Sequence, residues 1–244
     1  MNQSVKKLFL SVVCIIVLTI IVFTAALWIK VQSINKQVLE IQQHLQESTE
    51  ANKQVLDKLT EIQKQQQAID QKLTQEKKER ELHAQQIAYI KKVGYTPDSD
   101  LGNQTNFTSD DMNKIINYWI YHMGVSSKFK NKGAVFIQAS KETGLNPIYI
   151  LSHAAIESGW GDSYIARNKH NYFGINAIDI DPGQSYAMGN NLDEGIRTGA
   201  KWIQKNYYSN GYTSLASMKR AGYATSPTWS SSICHVMNAS LQAL

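Results

Sequence analysis

The chain has 244 residues and a net charge of +5, from 25 Lys and Arg against 20 Asp and Glu. That balance is too slight to specify nucleic acid, and two cysteines, Cys14 and Cys234, exclude both a disulfide framework and a Cys-rich metal site. Four prolines and 14 glycines exclude a collagen-like chain, and the mean hydropathy of −0.33 averages over segments of unlike character.

Residues 8–29, LFLSVVCIIVLTIIVFTAALWI, are an uncharged run of 22. At about 1.5 Å per residue such a helix spans roughly 33 Å, enough to cross a hydrocarbon core. Lys6 and Lys7 before the run favour an N-terminus inside, and Trp28 suits the outer interface. A cleaved signal peptide is the rival, with Thr24-Ala25-Ala26 as its cleavage site, although its apolar core would be shorter. Residues 1–30 are therefore expected to be a signal-anchor, inserted in a lipid bilayer through residues 8–29, with everything after it on the extracytoplasmic side. Either a bacterial plasma membrane or the internal membrane of a phage particle fits.

Residues 31–93 contain no Pro or Gly and carry ten basic and nine acidic side chains. Apolar residues recur at alternating spacings of three and four, from Val31, Ile34, Val38, Ile41 and Leu45 to Ile87 and Ile90. Twelve of the 18 core positions of nine heptads are apolar, and Asn52 falls at an a position. A lone helix of this composition has no face to bury, so the pattern predicts a coiled coil and a homo-oligomer, dimer or trimer. Its stalk would be roughly 90 Å long. Residues 94–109, GYTPDSDLGNQTNFTS, have no periodicity and read as a linker.

Residues 110–244 are long enough for one core, and helix signals dominate. Ser109 or Asp110 caps a helix through Ile120, a second runs over 133–142, and Asn146-Pro147 starts a third that ends near Ser158. Gly, Asn and Asp-Pro-Gly between 171 and 191 suggest a small irregular β-hairpin region, after which helices resume over 192–207, 214–221 and 230–241. The expected class is α+β, mainly α.

The third helix, PIYILSHAAIES, is apolar or small almost throughout, and Glu157 is its exception. A carboxylate at the C-terminal end of an apolar helix is desolvated and sits near the negative pole. Both effects raise its pKa, as a general acid requires. His153 is one turn away, but no third ligand stands at a metal spacing, so His153 reads as a packed or hydrogen-bonded core residue and no metal or cofactor is expected. Cys234 and His235 are adjacent and point apart on a helix, which removes a nucleophilic pair.

Four blocks, NPIYILSHAAIESGWGDSYIA, NYFGINAIDIDP, NLDEGIRTGAKWI and GYATSPTW, occur in this order. Together they resemble the β-N-acetylglucosaminidase domain of glycoside hydrolase family 73, found in Gram-positive autolysins and in the flagellar peptidoglycan hydrolase. The resemblance covers roughly residues 110–244. It implies a lysozyme-like fold and cleavage of peptidoglycan glycan between N-acetylglucosamine and N-acetylmuramic acid. It carries the general acid onto Glu157 and the motif tyrosine onto Tyr223, and places Asn171, Phe173 and Gly174 in a cleft-lining N-x-F-G element. Tyr172, Phe173 and Tyr223 are expected as stacking walls, with Trp160 as a further substrate contact. The hairpin is shorter than in many members and offers only Asp179 and Asp181, of which Asp179 is the expected water-activating base. The substrate's own 2-acetamido group is the alternative. Glu194 fits a helix cap, and Ser226 replaces the usual Asp after Tyr-Ala-Thr. The expected function is a membrane-anchored peptidoglycan hydrolase. A lytic transglycosylase would share Glu157-Ser158 and Gly161, but would continue with a G-L-M-Q-like stretch where this chain has Phe173-Gly174-Ile175. A non-catalytic wall-binding protein is the remaining alternative.

Overall fold

The computed structural model describes residues 2–103, 105–177 and 185–244. One helix, α1 (Gln3–Val93), contains both the apolar run and the heptads. The chain divides after Gln75 into two units. In the first, residues 2–75 belong almost entirely to α1, and every side chain is exposed. The 18-residue windows at its start have the length and hydropathy needed to cross a membrane.

The second unit begins at Glu76 and includes the last five turns of α1. There the heptad register meets the chain's own globular part. Ile87 and Ile90 pack against the core, and His83 Nε2 lies 2.9 Å from Asp111 Oδ2. Ile87 and Ile90 were expected in the coiled-coil seam, and they pack instead within the chain's own second unit. The segment 94–109 is irregular, as its composition says, but it is tied down. Leu101 and Phe107 are buried, Leu101 N–H donates to Thr213 O (2.8 Å), and Asn146 N–H donates to Leu101 O (2.7 Å). Asn238 accepts from Tyr95 N–H (2.7 Å) and donates to Tyr95 O (2.8 Å). Lack of periodicity signalled lack of helix there, not lack of contacts.

Among the described residues seven α-helices follow α1: α2 (Ser109–Tyr121), α3 (Gly133–Thr143), α4 (Pro147–Ser158), α5 (Tyr164–Lys169), α6 (Leu192–Asn206), α7 (Leu215–Arg220) and α8 (Trp229–Ser240). Caps set most boundaries. Thr108 and Asp111 form a reciprocal capping box on α2, and Asn146 Oδ1 accepts from Ile148 N–H with Pro147 in the first turn of α4. Asn191 caps α6, and its Glu194 carboxylate accepts from Asn190 N–H, the capping role its sequence position suggested. The short helix α5, capped by Ser163, had no apolar period to announce it. Among the described residues there is no strand, and one antiparallel bridge joins Gly102 to Leu145. The centre of the expected hairpin, 178–184, lies outside the described residues.

Helix α4 is the axis of the domain. It packs between α3 and α8, and ten of its 12 residues are buried. Burying an aliphatic side chain contributes about 1.5–3 kcal/mol, so α4 is held mainly by its apolar surface. Ile156 and Glu157 are its two residues that reach outward.

Candidate active site

Glu157 closes the last turn of α4, which ends where Gly159 adopts a left-handed conformation (φ 56°). Ser158 fixes the turn. Its hydroxyl donates to Ala154 O and accepts from Gly161 N–H (2.8 Å). Glu157 therefore projects from a buried helix with its backbone pinned on both sides, and its side chain is 22 % exposed.

Two elements far apart in sequence converge on the carboxyl group. From α8, Trp229 Nε1–H donates to Glu157 Oε1. From the loop after α5, Gly174 approaches the other oxygen so closely that a Cβ there would lie 2.9 Å from Oε2, and its φ of 64° is one that side chains rarely adopt. Among the described residues no hydrogen bond is made to Oε2. One oxygen is fixed by an indole and the other lies against Gly174.

That loop is built from Asn171. Its amide donates to Ile175 O (2.8 Å) and Tyr186 O (3.0 Å), and its carbonyl accepts from Phe173 N–H (3.3 Å) and Ile175 N–H (3.1 Å). Tyr223 O–H donates to Phe173 O (2.9 Å) and anchors the loop from the segment after α7. Helix α6 presses on it from behind through two glycines. A Cβ on Gly195 would lie 2.1 Å from His170 O, and one on Gly199 would lie 2.2 Å from the Phe173 ring.

Burial raises the Glu157 pKa, and the Trp229 hydrogen bond opposes the rise. Burial also pushes the hydroxyls of Tyr149 and Tyr223 well above the usual range, so both are neutral donors. His153 is fully buried, and burial lowers its pKa to about 3. Its ring sits among Tyr149, Phe173, Tyr223 and Trp229, with centroids 5.1–5.4 Å away.

The residues singled out from sequence separate into groups. Glu157, Gly174, Tyr223 and Phe173 are brought together. Asn171, Tyr172 and Phe173 are buried, so their side chains build the loop and the core. That burial removes the stacking-wall role read for Tyr172 and Phe173, whose ring faces are already covered. Trp160 has a left-handed backbone (φ 62°) and packs edge-on against Trp119 of α2, with centroids 4.6 Å apart. Asp179 and Asp181 lie outside the described residues. Trp229 was not among the residues singled out from sequence. The available signal was its place in GYATSPTW, the block that also supplies Tyr223. No cluster of three metal-ligating side chains occurs among the described residues.

Residues 133–241 match the family model described as mannosyl-glycoprotein endo-beta-N-acetylglucosaminidase. These residues form a glucosaminidase domain. Over 141 residues the chain is 38% identical to a Streptococcus pneumoniae (strain R6) protein named "Putative endo-beta-N-acetylglucosaminidase", a match covering 57% of this chain and 20% of that protein. It is 35% identical over 125 residues to the bifunctional autolysin of Staphylococcus aureus (strain N315), covering 43% of this chain and 10% of the autolysin. The chain thus spans about a fifth or less of the length of these relatives. Among solved structures, S. aureus autolysin E in complex with the muropeptide NAM-L-Ala-D-iGlu is similar at a TM-score of 0.52 and 26% identity, covering 65% of this chain and 77% of that one. A catalytic mutant of autolysin E in complex with the disaccharide NAG-NAM gives a TM-score of 0.51. The glucosaminidase domain has the mainly helical, lysozyme-like architecture of these enzymes.

Proposed function

We propose that the chain is an endo-β-N-acetylglucosaminidase that hydrolyses peptidoglycan glycan at N-acetylglucosamine–N-acetylmuramic acid linkages from a membrane-held stalk. The observation that carries this reading is the asymmetry of Glu157. Trp229 N–H occupies Oε1 and leaves Oε2, which lies against Gly174, to hold the proton. Burial keeps the acid protonated further up the pH scale than an exposed carboxyl group.

In this mechanism Oε2–H is transferred to the glycosidic oxygen as the bond to the anomeric carbon breaks. An oxocarbenium-like centre develops, and either a water activated by Asp179 or the substrate's 2-acetamido oxygen attacks it. Tyr223 acts one step back, holding the Phe173 carbonyl and so the height of Gly174 over the acid. The NAG-NAM disaccharide bound by autolysin E supports the substrate class.

The exposed run 8–29 supports a bilayer as its surroundings, since leaving its large aliphatic side chains in water forgoes about 1.5–3 kcal/mol for each. Exposed Val31, Ile34, Val38, Ile41 and Leu45, and then Val55, Leu59, Ile62, Ile69 and Leu73, support a second copy of the chain as the partner of the stalk. The catalytic domain would then act outside the membrane, against the wall.

Mass spectrometry of peptidoglycan digested by the full chain tests the activity. Reducing N-acetylglucosamine ends are expected. Anhydromuramic ends would instead make the protein a lytic transglycosylase, and intact glycan with retained binding would make it a wall-binding protein.

A further inference from the structure

His153 is not needed by the mechanism above, yet it is the most closely enclosed polar side chain around the acid. Four aromatic rings surround it. Its Nδ1 lies 2.9 Å from Tyr149 Oη. Its Nε2 is buried without a hydrogen-bond partner among the described residues and stands 3.8 Å from Glu157 Oε1. An unsatisfied ring nitrogen in an apolar cage costs free energy unless something recovers it during function.

The tautomer follows from the neighbours. Tyr149 O–H has one proton and two acceptors in reach, His153 Nδ1 at 2.9 Å and Met218 Sδ at 3.5 Å. A thioether is a weak acceptor and an imidazole nitrogen a good one, so the hydroxyl donates to Nδ1. The ring then carries its hydrogen on Nε2. The alternative tautomer would set the Nε2 lone pair against Oε1, an oxygen that already accepts from Trp229.

We propose that His153 is a positioning residue for the acid: its Nε2–H, oriented by Tyr149, is aimed at Glu157 Oε1 and closes onto that oxygen when the proton leaves from Oε2. This rests on the reading of Glu157 as the general acid. The proton goes from Oε2 to the leaving-group oxygen, the bond from that oxygen to the anomeric carbon breaks, and His153 keeps its own hydrogen throughout. In the protonated ground state Oε1 is a carbonyl oxygen adequately served by Trp229. In the carboxylate it shares a full negative charge, and a second donor gains strength as the charge develops. The titratable groups facing His153 are Tyr149 and Glu157 on α4 and Tyr223 from the segment after α7. Phe173 and Trp229, from the loop and from α8, bring no titrating group.

The test uses the full chain in detergent micelles. Nitrogen NMR of isotopically labelled histidine should report the Nε2–H tautomer for His153, and Tyr149→Phe should lose that preference. In the pH profile of kcat, His153→Phe fills the cage without a donor. Its basic limb should move upward by about half a pH unit, with a fall in kcat of about 3-fold, because the carboxylate has lost a donor. His153→Gln, which keeps an N–H at similar reach, should restore most of both. An Nδ1–H tautomer, or an unmoved basic limb in folded His153→Phe, overturns the proposal. If His153→Phe does not fold, the tautomer and the Tyr149→Phe profile decide by the same criteria. Glu157→Gln is measured alongside. Retained lysis there removes Glu157 as the acid, and an Nε2–H tautomer found together with a dead Glu157→Gln separates the two questions.

Discussion

At Glu157 two effects oppose each other. Burial holds the carboxyl group protonated, and the Trp229 indole favours its anion. The balance makes an acid that keeps its proton above the ordinary carboxylate range but still releases it on demand. Activity should therefore be full below the raised pKa and fall as pH rises through it. Trp229→Phe keeps an aromatic ring in the cage and removes the donor. Hydrogen bonds to charged groups contribute about 1.5–3 kcal/mol, so the basic limb of the kcat profile should shift upward by about one pH unit or more. A downward shift would mean that the indole does not serve the anion. Glu157 stood out in the sequence as the lone carboxylate of an apolar helix, and its role as the acid was implied by the resemblance of the blocks around it. Its partners did not stand out. Neither Trp229 nor Gly174 is near it in the chain, and a hydrogen bond between residues 157 and 229 has no local signature.

Helix α6 reaches the site loop through close packing rather than through polar contacts. Gly195 and Gly199, four apart on α6, leave a groove that receives His170, Tyr172 and Phe173. Gly199→Ala would drive a methyl group into the Phe173 ring, and overpacking of this kind costs about 1–3 kcal/mol. The expected outcome is a lowered Tm together with a fall in kcat beyond what the folded fraction explains, because Phe173 carries the loop that faces Glu157. A lowered Tm with full specific activity would show that the loop adjusts independently of α6. Helix boundaries were legible wherever a cap stood next to an apolar period, as at Asn146-Pro147 and Asn191. The buried state of Tyr172 and Phe173 was not, since aromatic residues in a motif look alike whether they line a cleft or fill a core. The packed segment 94–109 was missed because the bonds that tie Leu101 to Thr213 and Asn146 join residues far apart in the chain.

At the scale of the whole molecule the heptad register has two environments. Up to Leu73 the apolar stripe is exposed, and from His83 to Ile90 the same register faces the chain's own domain. The proposed intermolecular coiled coil would then stop short of residue 83, because His83, Ile87 and Ile90 pack within the second unit. Single cysteines in a Cys14→Ser, Cys234→Ser background read this directly. Under oxidation Leu45→Cys, Leu59→Cys and Leu73→Cys should cross-link chains in the membrane, and Ile87→Cys should not. A complete lack of cross-links along the seam would leave the stalk monomeric, and efficient cross-linking at 87 would contradict the intramolecular stripe. The sequence carried the periodicity but could not separate the two partners, because a domain core and a second helix demand the same spacing of apolar residues.

Glu157→Gln tests the central claim most directly. Its amide preserves the shape of the side chain and the acceptor for Trp229 but has no acidic proton to give. On purified peptidoglycan the full-length variant should lose about 10²–10⁴-fold in the rate of release of reducing ends while still co-sedimenting with the wall. Unchanged release of reducing N-acetylglucosamine ends would contradict the account.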